Sequence, residues 1–150
     1  YLLGKIYLAD GNKQKALTLF GDGCAHNDPQ SCFTIAEMYQ HGKVSGRPDP
    51  KSAEQPYQQA CAAKLPIACY QLGLLYFDNP FRDILKASVY YEKACYLKYS
   101  KGCFSIAYMY KKGQVGDNPD PKRAASYYAK ACELGDNESC KEKEFLEGDL

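Results

Sequence analysis

The chain contains no tryptophan and only two histidines, His26 and His41, among its 150 residues. Neither histidine recurs along the sequence, so together they offer no repeated metal-ligand set. Charge of one sign is not in excess either, since 19 basic and 18 acidic residues leave a formal net charge of +1. That balance gives no electrostatic footing for DNA, RNA or an anionic membrane surface as a partner. Apolar runs are far too short to span a bilayer, so membrane insertion is not expected. No signal peptide or lipid-attachment pattern is visible. Tyr1 rather than Met opens the chain, and the start of the natural product is therefore expected to be missing. Cys-x-x-Cys pairs and Walker-type glycine loops are absent, which argues against thiol-redox and phosphoryl chemistry.

Cysteine, by contrast, is abundant and regular. The eight cysteines form four pairs, Cys24/Cys32, Cys61/Cys69, Cys95/Cys103 and Cys132/Cys140, each eight residues apart and recurring after 37, 34 and 37 residues. An even count at fixed spacing reads as a disulfide framework, and disulfides persist in oxidising compartments. The four-fold repetition favours closure of each pair on itself. Zinc is the rival reading. Its ligands normally arrive as closely spaced pairs brought together, whereas 28, 25 and 28 residues separate these pairs. A bridge across so short a loop stabilises by about 2–3 kcal/mol in the chain-entropy model.

Alignment on the first cysteine of each pair exposes a helical unit. Four residues earlier stand Phe20, Tyr57, Tyr91 and Tyr128; eight earlier stand Ala16, Ala53, Ala87 and Ala124. One residue earlier stand Gly23, Ala60, Ala94 and Ala131. These offsets share one side of a helix and place small residues where a second helix approaches closely. Twelve earlier stand Asn12, Asp49, Asp83 and Asp120, all types that cap a helix N-terminus. A helix of about 11–13 residues is therefore expected to end near each first cysteine. The second cysteine is expected to open another, with Ile35, Ala36 and Tyr39 (then Leu72, Gly73 and Tyr76; Ile106, Ala107 and Tyr110) on its apolar stripe. Pro56 falls inside a first-cysteine helix and is expected to kink it. Fixed periods of this kind mean units that bury their apolar faces only by stacking on neighbours.

The Leu-Gly-x-x-Tyr runs (Leu3, Gly4, Tyr7; Leu72, Gly73, Tyr76) and the stretches PDPKSAEQPYQQAC (48–61) and PDPKRAASYYAKAC (119–132) carry a family likeness. The chain resembles the Sel1-like repeat proteins, relatives of the tetratricopeptide repeats, and among them the Helicobacter cysteine-rich proteins. The resemblance implies an all-α fold, an α-α superhelix (solenoid) of Sel1-like helix pairs with one disulfide per repeat. The expected organisation is a single solenoid over 1–150: a partial repeat 1–24, repeats 25–61, 62–95 and 96–132, and a capping helix 133–150. Lys143 and Glu144 stand at positions that are apolar in earlier repeats, as the polar face of a cap requires. The resemblance also implies a periplasmic or secreted location, with the mitochondrial intermembrane space as alternative.

In that class the helix opened by the second cysteine lines the concave surface, with positions one, five and eight past the cysteine facing the groove. Carried onto this chain, the resemblance names Phe33, Glu37 and Gln40; Tyr70, Leu74 and Phe77; and Phe104, Tyr108 and Lys111, with Lys5, Leu8 and Lys141 extending the row. Fourteen tyrosines and six phenylalanines supply aromatic area suited to protein contacts. Tyr39, Tyr57, Tyr76, Tyr91, Tyr110 and Tyr128 are assigned to the core. For Phe33, Tyr70, Phe104 and Tyr108, core and groove stay equally open. A protein- or peptide-binding scaffold follows, without cofactor or metal and with self-association as a further possibility. The cysteine-rich family also carries a suspected penicillin-binding or β-lactamase activity, which makes a cell-wall hydrolase the alternative. The Ser-x-x-Lys, Ser-Asp-Asn and Lys-Thr-Gly elements of such an enzyme are absent from this chain.

Overall fold

The structure, a computed structural model, describes residues 1–78 and 82–148. The middle of the Asp78–Asp83 connection and the last two residues of the expected capping segment thus lie outside the described residues. Among those described, nine helices and no strand occur: α1 Leu2–Ala9, α2 Lys13–Ala25, α3 Pro29–Gln40, α4 Pro50–Ala62, α5 Pro66–Phe77, α6 Ile84–Tyr96, α7 Ser100–Lys111, α8 Pro121–Glu133 and α9 Asn137–Gly148. The chain divides into two compact units, Tyr1–Ala68 and Cys69–Leu150.

The caps behave as their chemistry dictates. Asn12, Asp49, Asp83 and Asp120 each accept a bond from the backbone N–H three residues on, fixing the starts of α2, α4, α6 and α8. All four helices run for 13 residues and end one residue past their cysteine. The following turn repeats as well. Asn27, Lys64, Lys98 and Gly135 take positive φ. The next N–H then reaches back to the carbonyl before the cysteine: Asp28 to Gly23, Leu65 to Ala60, Tyr99 to Ala94 and Asp136 to Ala131, at 2.9–3.0 Å. This six-to-one closure satisfies a carbonyl that the helix end leaves orphaned. Only Gly135 adopts the left-handed conformation without a Cβ penalty.

The next helices start earlier than the cysteine pattern suggests. Helices α3, α5, α7 and α9 begin three residues before Cys32, Cys69, Cys103 and Cys140. Asp28 and Asp136 cap the Ser31 and Ser139 N–H groups at 3.1 Å, and Pro29 and Pro66 occupy first helical positions. Each cysteine therefore sits in the first turn of a helix already under way. Bridges join Cys24 to Cys32, Cys95 to Cys103 and Cys132 to Cys140. Cys61 and Cys69 are also disulfide-bonded.

The core of unit one gathers Ala16, Phe20, Ala36, Met38, Ala53, Tyr57 and Ala60, each at most 2% exposed. In unit two the corresponding layer is Leu72, Ala87, Ala94, Ile106, Ala107, Met109, Ala124, Tyr128 and Ala131, each at most 1% exposed. Small residues set the helix spacing. A Cβ on Gly102 would lie 2.7 Å from the Ala94 Cβ and 2.9 Å from the Cys95 nitrogen, so α6 and α7 touch nearly backbone to backbone. Five of the six tyrosines assigned to the core are buried, and Tyr39 is half-buried. Helix α4 passes through Pro56 as one uninterrupted element. At the other end, Glu144 is exposed while the half-buried Lys143 pairs with Glu147 at 3.8 Å.

Candidate protein-binding face

On α7, Phe104, Tyr108 and Lys111 follow one another at intervals of four and three, which aligns them along one face. Leu74 and Phe77 of α5 come to the same place. With Tyr91, Ser105 and Met109 these residues line an apolar depression of about 190 Å³. Tyr91 (3% exposed) and Met109 (1%) form its floor, and Tyr108, at 41%, stands at its rim. The Phe77 ring lies 6.5 Å from Tyr91, and Phe104 meets Tyr128 edge-on at 5.6 Å. Gly73 permits this arrangement, because a Cβ there would collide with the Tyr91 ring. Burial, with Tyr70 and Asp78 nearby, raises the Tyr91 phenol above its usual value and keeps it neutral. The depression is thus preformed, apolar and uncharged, with the phenol of Tyr108 as a polar handle.

A second depression, of about 500 Å³, is lined by Lys111, Glu138, Lys141, Glu142 and Phe145. Lys111 bridges to Glu142 at 2.5 Å and also lies 5.9 Å from the Phe145 ring centre. In unit one, Phe33 packs at 5.7 Å against the buried Tyr57, whose hydroxyl donates to Gln40 Oε1 at 2.5 Å. Burial, aided by Glu37, raises that phenol too.

The structure therefore sorts the residues named from the sequence, with Gln40 held by the Tyr57 hydroxyl and Lys141 lining the second depression. Leu74, Phe77, Phe104 and Tyr108 share one depression, and Lys111 lines the other. Tyr70 instead packs into a ring cluster, 5.7 Å from Tyr91 and 5.3 Å from Tyr99. Phe33 and Glu37 are half-buried in unit one beside Tyr57. Sequence reasoning missed Phe145, a large apolar side chain at 62% exposure. It stands five residues past Cys140, as Tyr108 stands five past Cys103, so the same offset carried one repeat further reaches it. Tyr91, a core residue by its offset, is also the floor of a depression. Among the described residues, no group of three or more His, Cys, Asp or Glu side chains could hold a metal, and no helix is long and apolar enough to cross a membrane.

Residues 29–65, 66–99 and 100–136 match the Sel1 repeat, and each stretch begins where α3, α5 or α7 begins. The chain belongs to the Sel1 repeat family. Cytochrome c oxidase assembly factor 7 of Xenopus tropicalis is 30% identical over 137 residues, covering 86% of this chain and 59% of that protein. This Sel1 repeat chain thus spans less than two thirds of that curated relative's length. Among solved structures, a Sel1 repeat protein from Oxalobacter formigenes superposes with a TM-score of 0.82 at 22% identity, covering 97% of this chain and 60% of its own. Helicobacter pylori cysteine-rich protein B gives a TM-score of 0.61 at 25% identity, covering 85% and 92%. The fold is accordingly an α-α solenoid of Sel1 helix pairs carrying about one disulfide per pair.

Proposed function

We propose that this Sel1 repeat chain is a protein-binding scaffold that takes a partner segment along α5, α7 and α9. The observation that carries this is the depression bounded by Leu74, Phe77, Phe104 and Tyr108, with a rim tyrosine and no charged lining residue. An apolar side chain of the partner fills it, and the Lys111–Glu142 pair and Phe145 meet flanking residues. Stapled helices hold the face in shape beforehand, which lowers the ordering cost of association. Phe33 and Glu37 mark a second contact, in unit one.

The disulfides support an oxidising compartment. Within that class, a relative named as a cytochrome c oxidase assembly factor favours the mitochondrial intermembrane space over the periplasm or a secreted state. The same name favours an assembly role and gives no support to a cell-wall hydrolase. The test is capture of native partners by the oxidised chain, followed by affinity measurement with Leu74→Ala and Tyr108→Ala combined. Anchors at such a face lose affinity by at least about tenfold on truncation. Undiminished affinity with helicity retained would discard the assignment.

A further inference from the structure

The staples are not equally protected. Cys24, Cys32, Cys61, Cys69, Cys95 and Cys103 are at most 6% exposed, whereas Cys132 and Cys140 are both half-buried. The difference has a visible cause in unit two. Cys95 and Cys103 share a buried cluster with Ala131 of α8, and Tyr127 packs against it. Around the last bridge Ala131 and Ser139 are buried, but Glu133, Leu134, Gly135, Asn137, Glu138 and Lys141 are all exposed. Thiol–disulfide exchange needs a thiolate to reach a bridge sulfur, so its rate follows access.

What this bridge holds is also distinctive. Helix α9 buries only Ser139 and Leu146. Ser139 bonds locally to Asp136, so it anchors the turn rather than the helix to its neighbours. Beyond Leu146, α9 is tied to the rest of unit two by its packing on α8, by Lys111, which pairs with Glu142 at 2.5 Å and lies 5.9 Å from the Phe145 ring centre, and by the bridge itself.

We propose that Cys132–Cys140 is a thiol–disulfide exchange site, reduced by dithiols ahead of the other bridges, and that its opening releases α9. The co-reactant is a dithiol, whether a small molecule or a protein with paired thiols. One of its thiolates attacks a bridge sulfur; the Cys132–Cys140 bond breaks, a mixed disulfide forms, and the departing cysteine thiolate takes up a proton. The dithiol's second thiolate then attacks its own sulfur in the mixed disulfide. The remaining cysteine leaves and is protonated, and the dithiol ends as a disulfide. Two electrons and two protons pass to the bridge. Release of α9 dismantles the depression lined by Glu138, Lys141, Glu142 and Phe145, because those residues leave Lys111. The Leu74–Phe104–Tyr108 depression draws nothing from α9 and persists.

Dithiothreitol serves as the probe. The oxidised chain is held with it under native conditions, quenched with iodoacetamide at intervals, and mapped by peptide mass spectrometry. Alkylation of Cys132 and Cys140 is expected to run at least about tenfold ahead of the other six cysteines, which must wait for local or global opening. Simultaneous labelling of all eight, or earlier labelling of Cys24 and Cys32, would overturn the site. Hydrogen exchange on the Cys132→Ser/Cys140→Ser variant reads the second half. Amides of 137–148 are expected to lose protection while those of α6 and α7 keep theirs; unchanged protection across α9 would overturn its release.

Discussion

The α3–α4 pair of unit one and the α7–α8 pair of unit two stand on one backbone plan and present different surfaces. Asp49 and Asp120 both cap the N–H three residues on, and both donate their own N–H to a tyrosine carbonyl, Tyr39 or Tyr110, at 2.9 Å. Gly42 and Gly113 turn the chain with φ of +68° and +65°. Phe33 meets Tyr57 at 5.7 Å as Phe104 meets Tyr128 at 5.6 Å. Above this shared frame the pairs part. Tyr110 stacks on Tyr127 with ring centres 5.7 Å apart and planes 5° from parallel, Arg123 lies 5.5 Å from the Tyr110 centre, and the Tyr127 hydroxyl bonds Glu92. The α5–α6 pair repeats the motif, with Tyr76 stacked on Tyr90 at 5.5 Å and Lys86 over Tyr76 at 5.2 Å. In α4 the equivalent residues are Pro56 and Ser52, which supply neither ring nor cation, and Tyr39 is left half-buried without either. The repeat thus separates what specifies the fold from what is free to vary. Caps, turn residues and small contacts hold the frame, and the outer layer of side chains differs between units.

If the frames are equivalent, their central tyrosines should matter equally. Tyr57→Ala and Tyr128→Ala each remove a ring that is at most 1% exposed, and each is expected to cost about 3–5 kcal/mol. Denaturant midpoints of the oxidised variants measure this, and a gap between the two beyond about 2 kcal/mol would break the equivalence. Next in size comes Gly102→Ala. Its Cβ would press on Ala94 and on the α6 backbone, neither of which yields as a flexible side chain would. A loss of about 1–3 kcal/mol is expected. Gly23→Ala in unit one meets the Ser31 side chain instead, so Ser31→Gly should rescue it. No single side-chain truncation of Ala94 would fully relieve Gly102→Ala, because the Cys95 nitrogen and Tyr91 carbonyl remain in place.

The frame was readable in the sequence because it is periodic. The cap positions, the 13-residue helices and the cysteine register all follow from residue types that have one dominant use at one offset. The starts of α3, α5, α7 and α9 lie three residues ahead of their cysteines, since a cysteine pattern marks a contact and not the point where a helix is nucleated. The face was less legible. An offset says that Phe104 and Tyr108 share a side of α7, and it says nothing of Tyr91 rising from α6 to floor the same depression. Tyr70 fits the offset equally well and is drawn instead into the ring cluster with Tyr91 and Tyr99. Such choices are made by packing between helices, where several aromatic neighbours compete for each ring.

Smaller in effect, and sharper as a test, is the conversion of the α3–α4 surface into that of α7–α8. Pro56→Tyr restores a backbone N–H inside α4 and offers Tyr39 a stacking partner. Relief of an interior proline and a gained ring pair together should stabilise by about 1–3 kcal/mol. A decrease in stability would mean that α4 is shaped around Pro56. Ser52→Arg alone should change little, because an arginine there covers a tyrosine that no second ring holds in place. Combined with Pro56→Tyr it should gain more than the sum of the two, as Arg123 acts on a Tyr110 already fixed by Tyr127. A double-mutant cycle with zero coupling would mean that the cation and the stack in α7–α8 are neighbours by coincidence of spacing, and that only the ring pair distinguishes the two surfaces.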